Sequence, residues 1–164
     1  NARPSGPELF VLKTLNALGF GERYAPGGTD WVFDMDAHTG SASECSHPND
    51  RTKLFYASMV ANERITVGGM SNAFALAIIK SGWYASSDAV LDGVKIPVWM
   101  PLAEDDRFVD NGAASAACQA LNDCENQVYA AARHCLFEEA DAWYQPFMTD
   151  LVAFLDRHVE PATP

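Results

Sequence analysis

Hydrophobic and polar positions divide the chain into two differently patterned halves. In "SGPELFVLKTLNALG", residues 5–19, Val11, Leu12, Leu15 and Leu18 fall on one helical face. Ser5 and Glu8 have capping-box spacing, Pro7 suits a first turn and Gly19 suits the position after the C-cap. The period is then lost. Residues 20–50 are rich in Gly, Ser, Asp and Pro, with Phe20, Tyr24, Trp31 and Phe33 scattered through them. This predicts a long irregular excursion. Such excursions in compact domains are functional or disordered, and the aromatics favour a packed, functional one. "RTKLFYASMVAN", residues 51–62, predicts a helix with Leu54, Phe55, Ser58 and Met59 on one side and Asn49 or Asp50 as cap. Phe74, Ala77, Ile78 and Ser81 then repeat at helical spacing, with Gly82 as the expected stop.

From Val94 onward the pattern changes. "VKIPVWMPLA" is a short apolar run between turn residues, which suits a strand buried on both faces. An Ala-rich helix follows in "DNGAASAACQAL", with Asp110 or Asn111 as cap, and "NQVYAAA" is a second strand candidate. In the closing "DAWYQPFMTDLVAFLDRHV", Trp143, Phe147, Leu151 and Leu155 are spaced by four with Met148 and Val152 beside them. Asp150 and Asp156 are expected to face away, and Pro146 obscures where the helix starts, since proline suits only the first turn. Residues 94–160 thus read strand, helix, strand, helix, which is α/β order with a parallel pair. The strand over 96–102 has one clear neighbour in the chain, over 127–132. Its other edge is expected to be long and unprotected, so the isolated polypeptide is expected to aggregate or stay partly molten.

Composition narrows the class. Of 164 residues, 48% are apolar and 20% charged, which is globular and sufficient for one modest core. A net charge of −11 repels nucleic acid and anionic headgroups, so nucleic-acid binding is excluded. Action on lipids would have to rest on apolar surface. Cys45, Cys118, Cys124 and Cys135 fit no standard zinc spacing. Cys118 and Cys124 flank "QALND" and read either as a disulfide-closed loop or as two small hydrophobes at a helix end, the second being favoured.

The chemistry concentrates at the two strand ends. α/β proteins place ligands at the carboxyl ends of parallel strands. The first strand ends in "AEDDRFVDN" and the second in "AARHCLFEE", which brings a carboxylate and the His134 imidazole to one sheet edge. This is the acid–base half of a serine hydrolase triad: the carboxylate fixes the imidazole tautomer and stabilises the imidazolium. Asp106 is the first choice of acid, Asp105 the second, and Asp110 reads as a helix cap.

"IPVWMPLAEDDRFVDN", "AARHCLFEEADAW" and the final helix resemble the C-terminal half of the lysophospholipase/monoacylglycerol lipase branch of the α/β-hydrolases. "LGFGERYAPGGTDW" resembles that branch's cap region, and "HPNDR" with "ITVGGMSNAF" the return from cap to core. Four segments in the right order carry the likeness, from about Leu15 to the end. It implies a partial α/β-hydrolase fold: the last strands and helices of the parallel sheet over 67–164, preceded by a mostly helical cap or lid over 1–66. Matching the family's "P-x-L-x-x-x-A-x-x-D-x-V-V-D-N" and "G-A-x-H-E-x-x-x-E-x-D" segments residue by residue puts the catalytic acid at Asp106 and the histidine at His134. Two departures stand out: Cys135 replaces the Glu after the histidine, and the Gly ahead of it is not evident. The nucleophile is missing too, for no "G-x-S-x-G" elbow occurs. The resemblance implies that the serine lies in a preceding portion.

"GMSNA" offers a substitute nucleophile in Ser71, in the order Ser71, Asp106, His134; the favoured reading of Ser71 is a helix cap after a Gly68–Gly69 turn. Asp34, Asp36, His38, Cys45 and His47 are potential metal ligands, but a solvated polar loop is the better reading, so no metal is expected. His158 suits the helix dipole in the last turn. The resulting expectation is a serine ester hydrolase with Asp106 and His134 as catalytic residues, no cofactor and a small-molecule lipid ester as substrate. A complementary chain or segment would carry the serine. The rival reading is a nucleophile-less remnant that binds lipid or protein.

Overall fold

The computed structural model describes residues 6–34 and 43–159. Ser5, Asp36 and His38 lie outside the described residues. The first helix, α1, spans Gly6–Ala17 and ends as its sequence dictates. Gly19 takes φ +84°, Gly19 N–H donates to Asn16 O at 3.1 Å, and Phe20 N–H to Leu15 O at 2.9 Å. This is a Schellman closure, which needs a residue without Cβ after the C-cap. An irregular segment follows. The second helix, α2, spans Asp50–Ala61. Asn49 is its cap: the side chain accepts from Arg51 N and Thr52 N. Only Thr52 of this helix is buried, while Leu54 and Phe55, on the expected apolar side, are exposed.

A 3₁₀ turn at Glu63–Ile65 leads to α3, Asn72–Ala85. Two features of α3 depart from its apolar periodicity. The buried stripe is Asn72 and Leu76, because Asn72 is drawn onto the 16–24 segment; its N–H donates to Arg23 O and its side chain to Phe20 O, both at 2.9 Å. Phe74 and Ile78 are left exposed. Gly82 does not stop the helix. It lacks the positive φ of a C-terminal glycine, and a helical glycine costs only about 1 kcal/mol. The helix runs on to Ser86, whose Oγ bonds back to Gly82 O at 2.8 Å. One further turn, α4 (Asp88–Leu91), was not legible in the apolar pattern.

The remainder follows the expected α/β order. Strand β1, Val98–Ala103, is followed by α5, Asn111–Ala120, by β2, Cys124–Tyr129, by a 3₁₀ turn at Leu136–Glu138 and by α6, Asp141–His158. The two strands pair in parallel, with Val98 opposite Cys124 and Ala103 opposite Tyr129. Strand β2 begins and ends earlier than "NQVYAAA" suggests, because Ala132 N–H turns back onto Tyr129 O. Helix α6 lays Trp143, Phe147 and Phe154 on the sheet, with Phe147 stacked on Trp99 at 5.5 Å. Its stripe therefore also includes Asp150, which was expected to face away; Tyr129 Oη donates to Asp150 Oδ2 at 2.7 Å. Pro146 sits in the second turn of α6. The core cluster is Ala103, Tyr129, Ala132, Leu136 and Phe147, and it takes in the last residue of each strand.

Among the described residues the sheet has two strands, so β1 pairs on one side only. Large apolar side chains lie open to solvent nearby, including Ile96 and Val128. No helix of the described residues is long and apolar enough to cross a membrane. The isolated 164-residue chain is expected to bind hydrophobic dyes and to melt without a sharp transition. Calorimetry of a purified monomer checks this; a single cooperative heat-absorption peak contradicts it.

Candidate active site

The four acids after β1 have different employment. Glu104 N–H donates to Tyr129 O at 3.1 Å and Asp105 N–H to Ala132 O at 2.9 Å, which extends the parallel ladder past the strands. Glu104 Oε2 accepts from Ala131 N at 2.8 Å and ties the same two loops again. Asp110 caps α5 through Gly112 N and Ala113 N. Asn111, next in line, donates its amide to Ala103 O at 2.7 Å and closes the acid loop on itself. Asp106 remains. Its Oδ1 accepts from Phe108 N at 2.8 Å and Val109 N at 2.9 Å, and its Oδ2 meets His134 Nδ1 at 2.8 Å.

Asp106 has little side-chain exposure, 8% against 38% for His134. Burial pushes the Asp106 carboxyl up. The hydrogen bond from His134 and those from the Val109 and Phe108 amides outweigh it together and hold the group below its ordinary 3.8. An ionised carboxylate only accepts, so Nδ1 carries the proton of this bond and the neutral ring keeps Nε2 as an acceptor. Among the described residues no hydrogen bond occupies Nε2. Phe108 packs edge-on against the imidazole, with centroids 5.1 Å apart. The arrangement can accept a proton at Nε2 and stabilise the cation that results.

The loop that carries His134 is held from the other side by residues the sequence reading missed. Ala131 takes φ +56°, a left-handed conformation that costs a non-glycine residue about 1–2 kcal/mol. Glu139 is fully buried. Its Oε1 receives Arg133 N at 2.8 Å and lies 2.9 Å from His47 Nδ1; its Oε2 receives His47 N at 2.9 Å and Ala140 N at 3.1 Å. The Arg133 guanidinium donates to the carbonyls of Ser43 and Ser46. Asn49 donates to Glu138 O at 2.8 Å, and Arg51 donates to Glu139 O at 2.6 Å and pairs with Asp141. His47 stacks on Trp143 at 4.1 Å. The signal for this cluster was present in "H-C-L-F-E-E-A-D", where the second Glu of the motif quoted above falls on Glu139, the one of the two adjacent glutamates that turns inward.

All four cysteines are paired. Cys45 joins Cys135, and Cys118 joins Cys124. This corrects the expectation of two small hydrophobes at a helix end: the end of α5 and the start of β2 bring Cys118 and Cys124 to a Cα separation of 5.4 Å, within bridging distance. Cys45, Cys135 and Glu138 converge, but disulfide sulfurs are not thiolate ligands.

The other sequence candidates lie elsewhere. Ser71 has ordinary extended backbone at φ −75°, and its Oγ accepts Phe74 N–H as the cap of α3. The Gly68–Gly69 pair before it serves close packing: a Cβ on Gly69 would come within 2.7 Å of Gly28 Cα. His47 is drawn into the Glu139 cluster, and His158 lies 3.5 Å from Glu125. Of the loop aromatics, Trp31 and Phe33 face each other at 6.3 Å, and Tyr24 Oη donates to Asp30.

No family model matches the chain. No curated protein matches it in sequence. Solved structures do match. A soluble variant of monoglyceride lipase from Saccharomyces cerevisiae, in complex with a substrate analog, superposes with TM-score 0.60 at 17% identity, over 94% of this chain and 50% of its own. A highly thermostable carboxyl esterase from Bacillus coagulans, in complex with glycerol, gives 0.61 at 15% identity over 96% and 54%. Monoacylglycerol lipase of Paleococcus ferrophilus gives 0.60 at 14% identity over the same shares. The chain therefore has the fold of the C-terminal half of an α/β hydrolase, and it spans about half the length of these proteins.

Peptide mapping under non-reducing, denaturing conditions is expected to recover Cys45 linked to Cys135 and Cys118 linked to Cys124. Alkylation of any of the four thiols without prior reduction contradicts this pairing.

Proposed function

We propose that this chain supplies the acid–base half, and the substrate-covering segment, of a serine ester hydrolase acting on lipid monoesters such as monoacylglycerols or lysophospholipids. The observation that carries the reading is the 2.8 Å bond between Asp106 Oδ2 and His134 Nδ1, at the carboxyl ends of two adjacent parallel strands. The fold shared with lipases and esterases gives it context. The serine is supplied by polypeptide outside these 164 residues.

A serine hydroxyl bonded to His134 Nε2 attacks the ester carbonyl, and the imidazole takes its proton. The imidazolium is stabilised by Asp106, whose second oxygen is held by two backbone amides and does not swing away. His134 then returns the proton to the leaving alcohol, and the same cycle run with water releases the acid. No metal or organic cofactor has a part in these steps. Residues 1–66 act as the cap and 67–164 as core.

The segment is tested in a polypeptide that contains both it and the serine. His134→Ala and Asp106→Asn are each expected to lower kcat by about 10³–10⁴-fold with the protein still folded. A fluorophosphonate probe is expected to label a serine outside this chain, and Ser71→Ala to leave labelling unchanged. Probe attached to Ser71 overturns the assignment. A folded full-length protein that takes no label at all favours a binding module instead.

The depressed Asp106 carboxyl also makes a stability prediction. A group whose folded value is lowered stabilises the fold above its unfolded value, and that contribution is lost as pH falls through the folded value. The difference in unfolding free energy between wild type and Asp106→Asn should be full at about pH 6 and shrink below pH 3.8. Urea titrations at about pH 6 and about pH 3 measure it. A difference that does not change with pH contradicts the ionised, hydrogen-bonded carboxylate.

A further inference from the structure

The proposed base is a half-exposed side chain on a loop, yet both of its chain neighbours are tied down. On one side, Arg133 N–H is held by Glu139 at 2.8 Å. On the other, Cys135 is bonded covalently to Cys45, and its N–H donates to Cys45 O at 2.6 Å. The two ties meet. Glu139 grips His47 through both the backbone N–H and the imidazole, and His47 is two residues from Cys45. The path Arg133–Glu139–His47–Cys45–Cys135 is thus closed into a ring through His134 itself, with a tie on the residue at either side of it.

We infer that Glu139 and the Cys45–Cys135 disulfide are the positioning device for His134: they fix the backbone on both sides of it and so aim the imidazole at Asp106. This rests on the reading of His134 as the general base. The chemistry of Glu139 suits the task. Four donors converge on its two oxygens, two on each. Only a carboxylate accepts that many; a glutamine would turn an NH₂ toward N–H groups it cannot accept from. Glu139 is fully buried, so water does not replace a lost contact. The disulfide adds a tie across 90 residues of chain. The second disulfide, Cys118–Cys124, joins α5 to β2 and lies outside the ring.

The test uses the polypeptide that carries both this chain and the serine, with two readouts. The first is kcat against KM. Glu139→Gln, and separately Cys45→Ser/Cys135→Ser, are expected to lower kcat by up to about 10²-fold, the cost of a misplacement on the order of 1 Å, while KM stays within about twofold. Cys118→Ser/Cys124→Ser is expected to leave kcat unchanged. The second readout is the downfield proton resonance of His134 Nδ1–H in its bond to Asp106. It should be broadened or lost in the two ring variants and retained in the Cys118/Cys124 variant. Near-UV circular dichroism establishes that each variant is folded. A folded ring variant with wild-type kcat and an unchanged resonance overturns the inference. Should Glu139→Gln not fold, the Cys45→Ser/Cys135→Ser variant decides by the same criteria. If His134→Ala keeps full activity, the general-base reading falls, but the resonance still reports whether the ring aims the imidazole.

Discussion

Everything at the candidate site depends on the parallel register of β1 and β2. Ala103 lies opposite Tyr129, and the ladder continues into the loops as Glu104 N–H to Tyr129 O and Asp105 N–H to Ala132 O. Asp106 is the next residue along one loop and His134 lies two beyond Ala132 on the other. A strand advances about 3.3 Å per residue, so a slip of one residue in the pairing would exceed the whole length of the 2.8 Å bond between them. The slip is resisted at the carboxyl end, where Ala103 and Tyr129, the last residues of the two strands, join the core cluster with Ala132, Leu136 and Phe147. The best-packed part of the described sheet is therefore the part under the two side chains.

The chain carries 22 acidic residues, and two of them receive special treatment. Asp106 and Glu139 are both removed from water and both accept from backbone amides. They differ in what else they hold. Asp106 leaves one oxygen for an imidazole at the surface, whereas Glu139, itself fully buried, spends all its capacity on four N–H donors. The first arrangement suits a group that must stabilise a charge appearing and disappearing nearby. The second suits a fixed brace, because a buried carboxylate with every lone pair occupied gains nothing by moving. Between them they hold His134 from the side chain and from the main chain.

The legible part of this structure is the part whose cause is local. Alternation between an apolar run and an Ala-rich amphipathic segment gave β1, α5, β2 and α6 in order, and Asp110 as cap followed from its place before α5. The meeting of Asp106 and His134 was legible because each lies in the loop that follows a strand of a parallel pair. What escaped has partners far away in sequence. Glu139 meets His47 across 92 residues, and Cys45 meets Cys135 across 90, and neither spacing has a period. The phases of α3 and α6 were misjudged for the same reason. Asn72 is buried because its amide serves Phe20, and Asp150 turns inward because Tyr129 needs an acceptor. In both cases a polar bond chose the buried face. Gly82 misled differently, since glycine stops a helix only where the backbone takes positive φ.

The proposed division of a triad between two stretches of chain would place unequal demands on them. An elbow serine needs a strained strand-to-helix turn, and such a turn requires a packed sheet around it. The acid–base pair needs only two adjacent strand ends and something to hold their loops. Here that something lies within the described residues: the continued ladder, the Asn111 clamp on Ala103, and the brace formed by segment 43–47 with Glu139. The pair can thus be organised before any hydroxyl approaches, which is the condition under which an imidazole acts as a base without reorganisation cost. Among the described residues β1 keeps one unpaired edge, while burial is greatest at the strand ends from which the loops of the carboxylate and the imidazole leave.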